Sequence, residues 1–216
     1  MDLITLVQGC AMVFTFGFFF SGSAAVLKVH QQKSVKNVNF LPYLAATLNC
    51  CLWTIYGHLK GDWLLILVNA VGCILQAIYI FIFMQNCDNK PYYLKKVFVL
   101  LTTCLGALSF AYLGTDLFDV VRSLGLFAST VTVLMFGSPL SVLRVVIATK
   151  SSEQISFPLS LMTVCNCFSW LVYGYLIKDS YVQVPNFFGL VLGIIQVLTI
   201  YQYPNKTSRV GLTSQV

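Results

Sequence analysis

The sequence predicts an all-α membrane protein in which seven transmembrane helices form two parallel three-helix bundles joined by an inverting helix. Composition, the lengths of the apolar runs and an internal repeat together predict this fold. Hydrophobic residues make up 58% of the 216 residues and charged residues only 9%, whereas about 25% of a soluble domain is charged. We therefore expect the chain to lie in a lipid bilayer.

Seven apolar runs are about long enough to cross the hydrocarbon core, which takes about 20 helical residues. Asp2 alone precedes the first run, so the basic segment of a signal peptide is missing, and we expect the first helix to remain in the mature protein. The runs are residues 4–27, 40–58, 63–84, 97–113, 121–143, 156–176 and 181–203.

The second half of the chain repeats the first at a distance of 117 positions, as from Lys33 to Lys150. Polar, aromatic and glycine residues recur at this distance. Two copies of one bundle imply a pseudo-twofold site where the copies meet. The matched pairs include Ser34 and Ser151, Asn49 and Asn166, Trp53 and Trp170, Tyr56 and Tyr173, Asp62 and Asp179, Asn69 and Asn186, and Gly72 and Gly189.

The repeat also predicts the domain organisation. We expect the first three-helix repeat in residues 1–86, a linker with helix four in 87–119, the second repeat in 120–203 and a cytoplasmic tail in 204–216. Three helices are an odd number, so a second copy would be inverted without one extra crossing. Helix four is interpreted as that crossing.

Basic residues predict the orientation. With the N-terminus outside or lumenal, only Lys60, Arg122 and Lys178 of the 13 Lys and Arg residues fall in outer loops. This bias is typical of cytoplasmic loops in membrane proteins, so the C-terminus is expected to be cytoplasmic. The net charge of +6 then reflects topology, and its lack of clustering argues against nucleic-acid binding.

Helices two and three carry a stripe of polar and aromatic residues. Asn49, Trp53 and Tyr56 follow at i, i+4 and i+7, which places them on one face of helix two. At 1.5 Å per residue, Trp53 and Asn69 on helix three both lie ~7–9 Å below the outer interface. The second copy has the same two residue types at a similar depth, Trp170 and Asn186.

Two tryptophans and two asparagines in one layer favour a neutral polyol ligand. An amide both donates and accepts hydrogen bonds, as sugar hydroxyls do, and an indole offers a flat apolar face to a sugar ring. Since no carboxylate, histidine or basic residue joins them, we expect no metal, no cofactor and no catalytic residue. Two structural interpretations stay open: asparagines that bond between helices and tryptophans of an interfacial belt.

Prolines and a glycine mark candidate bends. Pro42 and Pro158 lie near the cytoplasmic ends of helices two and six, and Pro139 lies in the inner half of helix five. Gly22 is the counterpart of Pro139 in helix one. Such residues interrupt backbone hydrogen bonding, so the sequence is compatible with a swivel or with a static kink.

These residues together resemble the SWEET family of sugar transporters, which is related to PQ-loop proteins, and in particular an animal-type member. The resemblance rests on the pattern from Pro42 to Trp-x-x-Tyr-Gly57, the Asn69-x-x-Gly72 step, their repetition and the Lys-Ser loops, and it covers residues 4–203. It implies a facilitative uniporter that moves mono- or disaccharides by alternating access.

The resemblance also implies roles for single residues. Asn69 and Asn186 match the paired sugar-binding asparagines of the family. Trp53 and Trp170 match the positions that flank the sugar from the outer side. Because both indoles are present, a monosaccharide such as glucose is the expected substrate.

Gate residues are implied in the same way. Tyr56 and Asp179 look like the outer gate. Gly22 stands where plant members carry one of four inner-gate prolines, so a gate built on four prolines is incomplete in this chain. The other three positions of the inner gate or hinge are matched by Pro42, Pro139 and Pro158.

Other functional classes fit less well. A membrane enzyme needs acids, bases or metal ligands inside its spans, but all seven carboxylates lie at span ends or in loops. A trafficking or cargo receptor of the PQ-loop type, without transport activity, stays open as an alternative. Also open are the sugar, the choice between the plasma membrane and the Golgi that the resemblance implies, and a homo-oligomer, which the site does not require.

Overall fold

The structure, a computed structural model, describes residues 2–36 and 38–204. The predicted tail, 204–216, therefore lies outside the described residues except for Pro204. Helices dominate the described part of the chain. They are α1 (Leu3–Ser21), α2 (Ser23–Gln32), α3 (Leu41–Lys60), α4 (Trp63–Gln85), α5 (Lys90–Leu113), α6 (Leu117–Met135), α7 (Gly137–Thr149), α8 (Phe157–Leu176) and α9 (Ser180–Gln202).

The helical segments combine into seven spans. Only Gly22 separates α1 from α2, and only Phe136 separates α6 from α7, so each pair crosses as one interrupted helix. Six of the spans are both long and apolar enough to cross a bilayer. The seventh, α3, has 20 residues, which is the length needed, but it includes polar side chains such as Asn49 and His58.

Helix α5 begins at Lys90 rather than near the predicted residue 97. Asn89 caps it, because its side chain accepts a hydrogen bond from Tyr92 N at 3.3 Å, and Pro91 lies in the first turn, where its missing N–H costs nothing. The ammonium of Lys96 lies 4.4 Å from the centre of the Tyr92 ring. The apolar-run criterion overlooked this turn because lysines with long stems extend helices at membrane interfaces.

Residues Thr15–Met135 form one compact unit. In it, α3 packs against α4, α5 and α6, and α2 packs against α4. An aromatic core joins the ends of α3, α4 and α5, with the Phe40 and Phe83 ring centres 4.5 Å apart. The outer half of the fifth span, α6, is therefore part of the same compact unit as α3 and α4.

The described residues before Thr15 and after Met135 form the second unit. Here α9 packs against α8 and α7. Helix α9 continues through Pro185, which is buried within it. The α8–α9 hairpin is the repeat of the α3–α4 hairpin in the other unit.

Both hairpins turn in the same way. Glycine is required at position 57 because a Cβ there would lie 2.8 Å from Leu65 Cβ, and Gly61 adopts a positive φ of 67° at the turn. In the second hairpin, Gly174 is similarly crowded, with Gln183 Cγ 3.0 Å from where its Cβ would be. Lys178 adopts the positive φ, at 55°. The close approach of two helices therefore explains the paired glycines.

Candidate functional site

The two predicted tryptophans make the same aromatic contact in the two units. The Trp53 and Tyr56 rings on α3 meet edge to face, with centres 5.5 Å apart and planes at 90°. Trp170 and Tyr173 on α8 do the same, at 5.7 Å and 83°. Edge-to-face contact holds each indole plane at a defined angle, so the repeat preserves ring orientation as well as residue type.

The predicted sugar-binding asparagines share one side-chain geometry. Asn69 Nδ2 on α4 donates to Leu65 O at 2.9 Å, and Asn186 Nδ2 on α9 donates to Val182 O at 2.8 Å. Because a backbone carbonyl only accepts, the nitrogen of each amide must face it. Each Oδ1 therefore points away from its own helix backbone and presents an acceptor, although Asn69 is only 8% exposed.

Depth also agrees between the two hairpins. Trp53 lies seven residues before the end of α3 at Lys60, and Asn69 lies six after the start of α4 at Trp63. In the second hairpin, Trp170 and Asn186 each lie six residues from the ends of α8 and α9. At 1.5 Å per residue, each is ~9–10 Å from its own interhelical turn. Each unit therefore brings one indole and one asparagine to a single level.

A hydrogen-bond network that the sequence analysis did not identify holds Trp53. The indole Nε1 of Trp53 donates to Thr132 Oγ1 at 3.0 Å. The Thr132 hydroxyl hydrogen is shared between Asn49 Oδ1 at 2.7 Å and the carbonyl of Ala128 at 2.9 Å. Since the indole N–H is engaged, Trp53 has only its ring surface to offer a ligand.

Thr132 lies on α6, in the fifth span, and was missed because the predicted polar stripe includes only the second, third, sixth and seventh spans. The repeat itself contains a signal for it: Thr15 lies 117 positions earlier and is also buried. A comparison of helices one and five at this offset would have shown two threonines at matched positions of apolar helices.

The two outer-gate candidates are buried. Tyr56 is 0% exposed and Asp179 is 3% exposed. Asp179 Oδ1 accepts from Tyr181 N at 3.0 Å and Val182 N at 3.4 Å, and so caps α9. Its repeat partner, Asp62, caps α4 through Leu64 and Leu65. N-terminal capping typically contributes about 1 kcal/mol, so Asp179 has a structural role independent of any gate.

The inner-gate candidates lie at helix starts and helix breaks. Pro42 and Pro158 are in the first turns of α3 and α8, where proline needs no backbone donor. Pro139 is the third residue of α7, just after the break at Phe136.

Gly22 separates α1 from α2 although it is not a proline. Its N–H donates to Phe19 O at 3.2 Å, and the Tyr79 hydroxyl on α4 donates to the same carbonyl, also at 3.2 Å. A tyrosine from the neighbouring helix thus satisfies the backbone at this break, as required inside a membrane.

The described residues contain no cluster of three or more His, Cys, Asp or Glu side chains that could hold a metal ion. The eight cysteines form no disulfide. Outside the spans, burial raises the pKa of the Cys87 thiol, and Asp88 adds to the rise while Lys90 opposes it. In each unit, the predicted sugar-binding side chains are neutral: one indole and one amide.

Comparison with known proteins detects the same internal repeat. The family described as "Sugar efflux transporter for intercellular exchange" matches residues 5–91 and again residues 122–208. The two matches are offset by 117 positions, since 122 − 5 = 117, which is the period of the repeat.

Similar proteins match over nearly the whole chain. Sugar transporter SWEET1 of Homo sapiens is 37% identical over 208 residues, covering 96% of this chain and 94% of that protein. The protein of the same name from Xenopus laevis is 37% identical over 205 residues, covering 94% and 95%. That from Dictyostelium discoideum is 30% identical over 208 residues, covering 94% of each.

A solved structure, described as the 3.7 Å resolution structure of a eukaryotic SWEET transporter, is similar in fold. It matches with a TM-score of 0.86 and 27% sequence identity, covering 93% of this chain and 96% of that one. The predicted fold, seven membrane helices arranged as three, one and three, is thereby confirmed.

Proposed function

The chain belongs to the SWEET family of sugar transporters, and on this premise we propose that it is a facilitative uniporter that moves a monosaccharide such as glucose. Transport runs down the sugar gradient in either direction, by alternating access. The sugar is bound by Asn69, Asn186, Trp53 and Trp170.

The asparagine geometry carries this proposal. Each amide donates one N–H to the carbonyl four residues earlier, and each presents Oδ1 as an acceptor. Sugar hydroxyls are good donors, and an acceptor held by its own helix needs little reorganisation to receive them. The indole faces of Trp53 and Trp170 suit the C–H face of a pyranose, so the four side chains match one neutral sugar.

Gating is proposed from the same set of residues. Tyr56 and Asp179 close the outer side. Pro42, Pro139 and Pro158 act as the inner gate or hinge, together with Gly22. The break at Gly22, supported by Tyr79 rather than by a proline, is what favours a hinge role for this glycine.

The family resemblance suggests the location, and the distribution of basic residues suggests the orientation. We expect the transporter in the plasma membrane or the Golgi, with the N-terminus outside or lumenal and the C-terminus cytoplasmic. The lysine-rich start of α5, from Lys90 to Lys96, belongs on the cytoplasmic face by the same reasoning.

Uptake of labelled glucose into liposomes that contain the purified protein tests the proposal. Asn69→Ala and Asn186→Ala should each lower flux by about tenfold or more. Each variant leaves a buried hydroxyl of the sugar without a hydrogen-bond partner, which costs ~1–3 kcal/mol. Asn86→Ala is a matched control, since Asn86 Nδ2 makes the same bond to the carbonyl four residues earlier, at 2.7 Å, but at the far end of α4.

Two results would count against the proposal. Flux equal to wild type in both site variants, at matched protein amounts, would remove the sugar-binding assignment. Absence of glucose flux through the wild-type protein would favour the cargo-receptor alternative.

A further inference from the structure

Gln76 lies on the same face of α4 as Asn69. The two residues are seven positions apart, which is close to two full helical turns, so both side chains project from one side of the helix. At 1.5 Å per residue, Gln76 is ~10 Å farther from the outer turn of the hairpin than Asn69. On the proposed topology, this direction leads towards the cytoplasm.

The amide oxygen of Gln76 has no hydrogen-bond partner within the described part of the chain. The residue is only 7% exposed, and its Oε1 is fully buried without a partner. Asn69 and Tyr79 on α4 and Asn86 just after its end do have partners: Asn69 bonds Leu65 O, Tyr79 bonds Phe19 O and Asn86 bonds Ile82 O. A buried amide without a partner destabilises a fold, so Gln76 is an exception that needs a reason.

The α4 residues on either side of Gln76 contact the first span next to its break. Four residues before it, Gly72 packs so tightly on Phe19 that a Cβ would lie 2.7 Å from Phe19 Cζ. Three residues after it, the Tyr79 hydroxyl bonds the carbonyl of Phe19. Gln76 therefore lies between the two α4 residues that contact Phe19. Phe19 itself lies three residues before the break at Gly22.

The repeat does not duplicate Gln76. The residue 117 positions later is Gly193, where a Cβ would lie 2.9 Å from Val164 Cγ2. No amide fits there. Gln76 is thus not one of the repeated side chains that are proposed to bind sugar. A role in helix packing alone would not require an amide.

We propose that Gln76 is a second sugar-binding position, which bonds a hydroxyl of the substrate as the sugar passes between the Asn69 level and the cytoplasmic side. This inference rests on the proposed transport function. A neutral amide offers one acceptor and two donors, which suits a polyol and carries no charge to hold an ion. The missing hydrogen-bond partner is then the sugar itself, present only during transport.

The test compares three variants in glucose-loaded and empty liposomes. Gln76→Met keeps the length and volume of the side chain but removes the amide. Gln76→Asn keeps an amide, shortened by one methylene. Gln85→Met, at the exposed end of the same helix, is the matched control.

We expect Gln76→Met to lower the maximal rate of glucose flux by about three- to tenfold, the effect of one lost hydrogen bond, with little change in KM. Gln76→Asn should retain more flux than Gln76→Met, and Gln85→Met should match the wild type. The melting temperature of Gln76→Met should equal or exceed that of the wild type, because replacing an unpaired buried amide with an apolar group relieves a desolvation cost.

Two results would overturn the inference while leaving the transport function intact: wild-type flux in Gln76→Met, or a loss of flux in Gln76→Met accompanied by a fall in its melting temperature. The first would mean that the amide contacts no sugar, and the second that Gln76 is structural. Failure of the proposed function is distinguishable, because then the wild-type protein and Gln85→Met would carry no glucose at all.

Discussion

Gly72 and Phe19 are in such close contact that a Cβ at position 72 would lie 2.7 Å from Phe19 Cζ and 2.7 Å from Cys50 Sγ. The repeat reproduces the arrangement in the other unit: a Cβ at Gly189 would lie 2.7 Å from Phe136 Cζ and 2.6 Å from Cys167 Sγ. Phe136 is the residue at which the fifth span breaks, and Phe19 lies just before the break in the first span.

Gly72→Ala and Gly189→Ala should therefore each destabilise the protein, by ~1–3 kcal/mol, because an extra methyl group in a packed site forces its neighbours to move. The melting temperature in detergent measures the effect. Gly106→Ala is the control, since nothing lies within 4 Å of a Cβ at that position of α5, and alanine there should be neutral or stabilising. Equal melting temperatures for all three variants would contradict the close contact.

Thr132→Val should destabilise the protein and lower glucose flux. It removes both the acceptor of the Trp53 indole N–H and the donor to Asn49, at a cost of ~1–3 kcal/mol for the polar groups left unpaired. Thr132→Ser should retain most activity. The control is Thr130→Val, whose exposed hydroxyl bonds only Leu126 O, at 2.8 Å. Identical melting temperature and flux for the two valine variants would argue against the network.

Trp53→Ala should weaken glucose transport and allow a disaccharide to pass. On the proposal that Trp53 and Trp170 both flank the sugar, the two indoles leave room for about one ring, and removal of one indole opens space for a second while losing the stacking contact. Competition of sucrose with labelled glucose in liposomes measures the change. Trp63→Ala, an exposed tryptophan at the start of α4, is the control. Sucrose transport by the wild type as fast as glucose transport would refute this size limit.

Transport should be independent of a proton gradient. Proton coupling generally needs an ionisable residue inside the membrane. Asp179 is the one buried carboxylate of the described chain, and it lies at the end of a span, where it caps α9. An imposed pH gradient should therefore cause no glucose accumulation. Asp179→Asn keeps a good capping residue and serves as the diagnostic variant. Concentrative glucose uptake that follows the pH gradient and disappears in Asp179→Asn would show that transport is coupled to protons.

Much of the fold was predictable from residue pattern, because a membrane helix reveals itself by its own length and apolarity. The repeat of Trp53, Asn69 and Asp62 at 117 positions needed no coordinates to detect. The start of α5 was misplaced, since Lys90 and Lys96 extend a helix without being apolar.

The site was only partly predictable. Sequence spacing put Trp53 and Asn69 at one depth, and the helix bounds agree. Spacing says nothing about where an amide nitrogen or an indole N–H points. The bonds of Asn69 to Leu65 O and of Trp53 to Thr132 depend on side-chain torsions and on which helix packs nearby.

Sequence alone was sufficient to determine the membrane class, the number of spans, the repeat and the family resemblance, because each depends on composition or on order along the chain. Tertiary packing decided which helices share a compact unit, such as α6 with α3, and which polar atoms have partners. Thr132 is bonded and Gln76 is not, although both are polar residues in apolar helices. The difference arises because a hydrogen bond needs two groups within about 3 Å, and groups on different helices are brought that close only by folding.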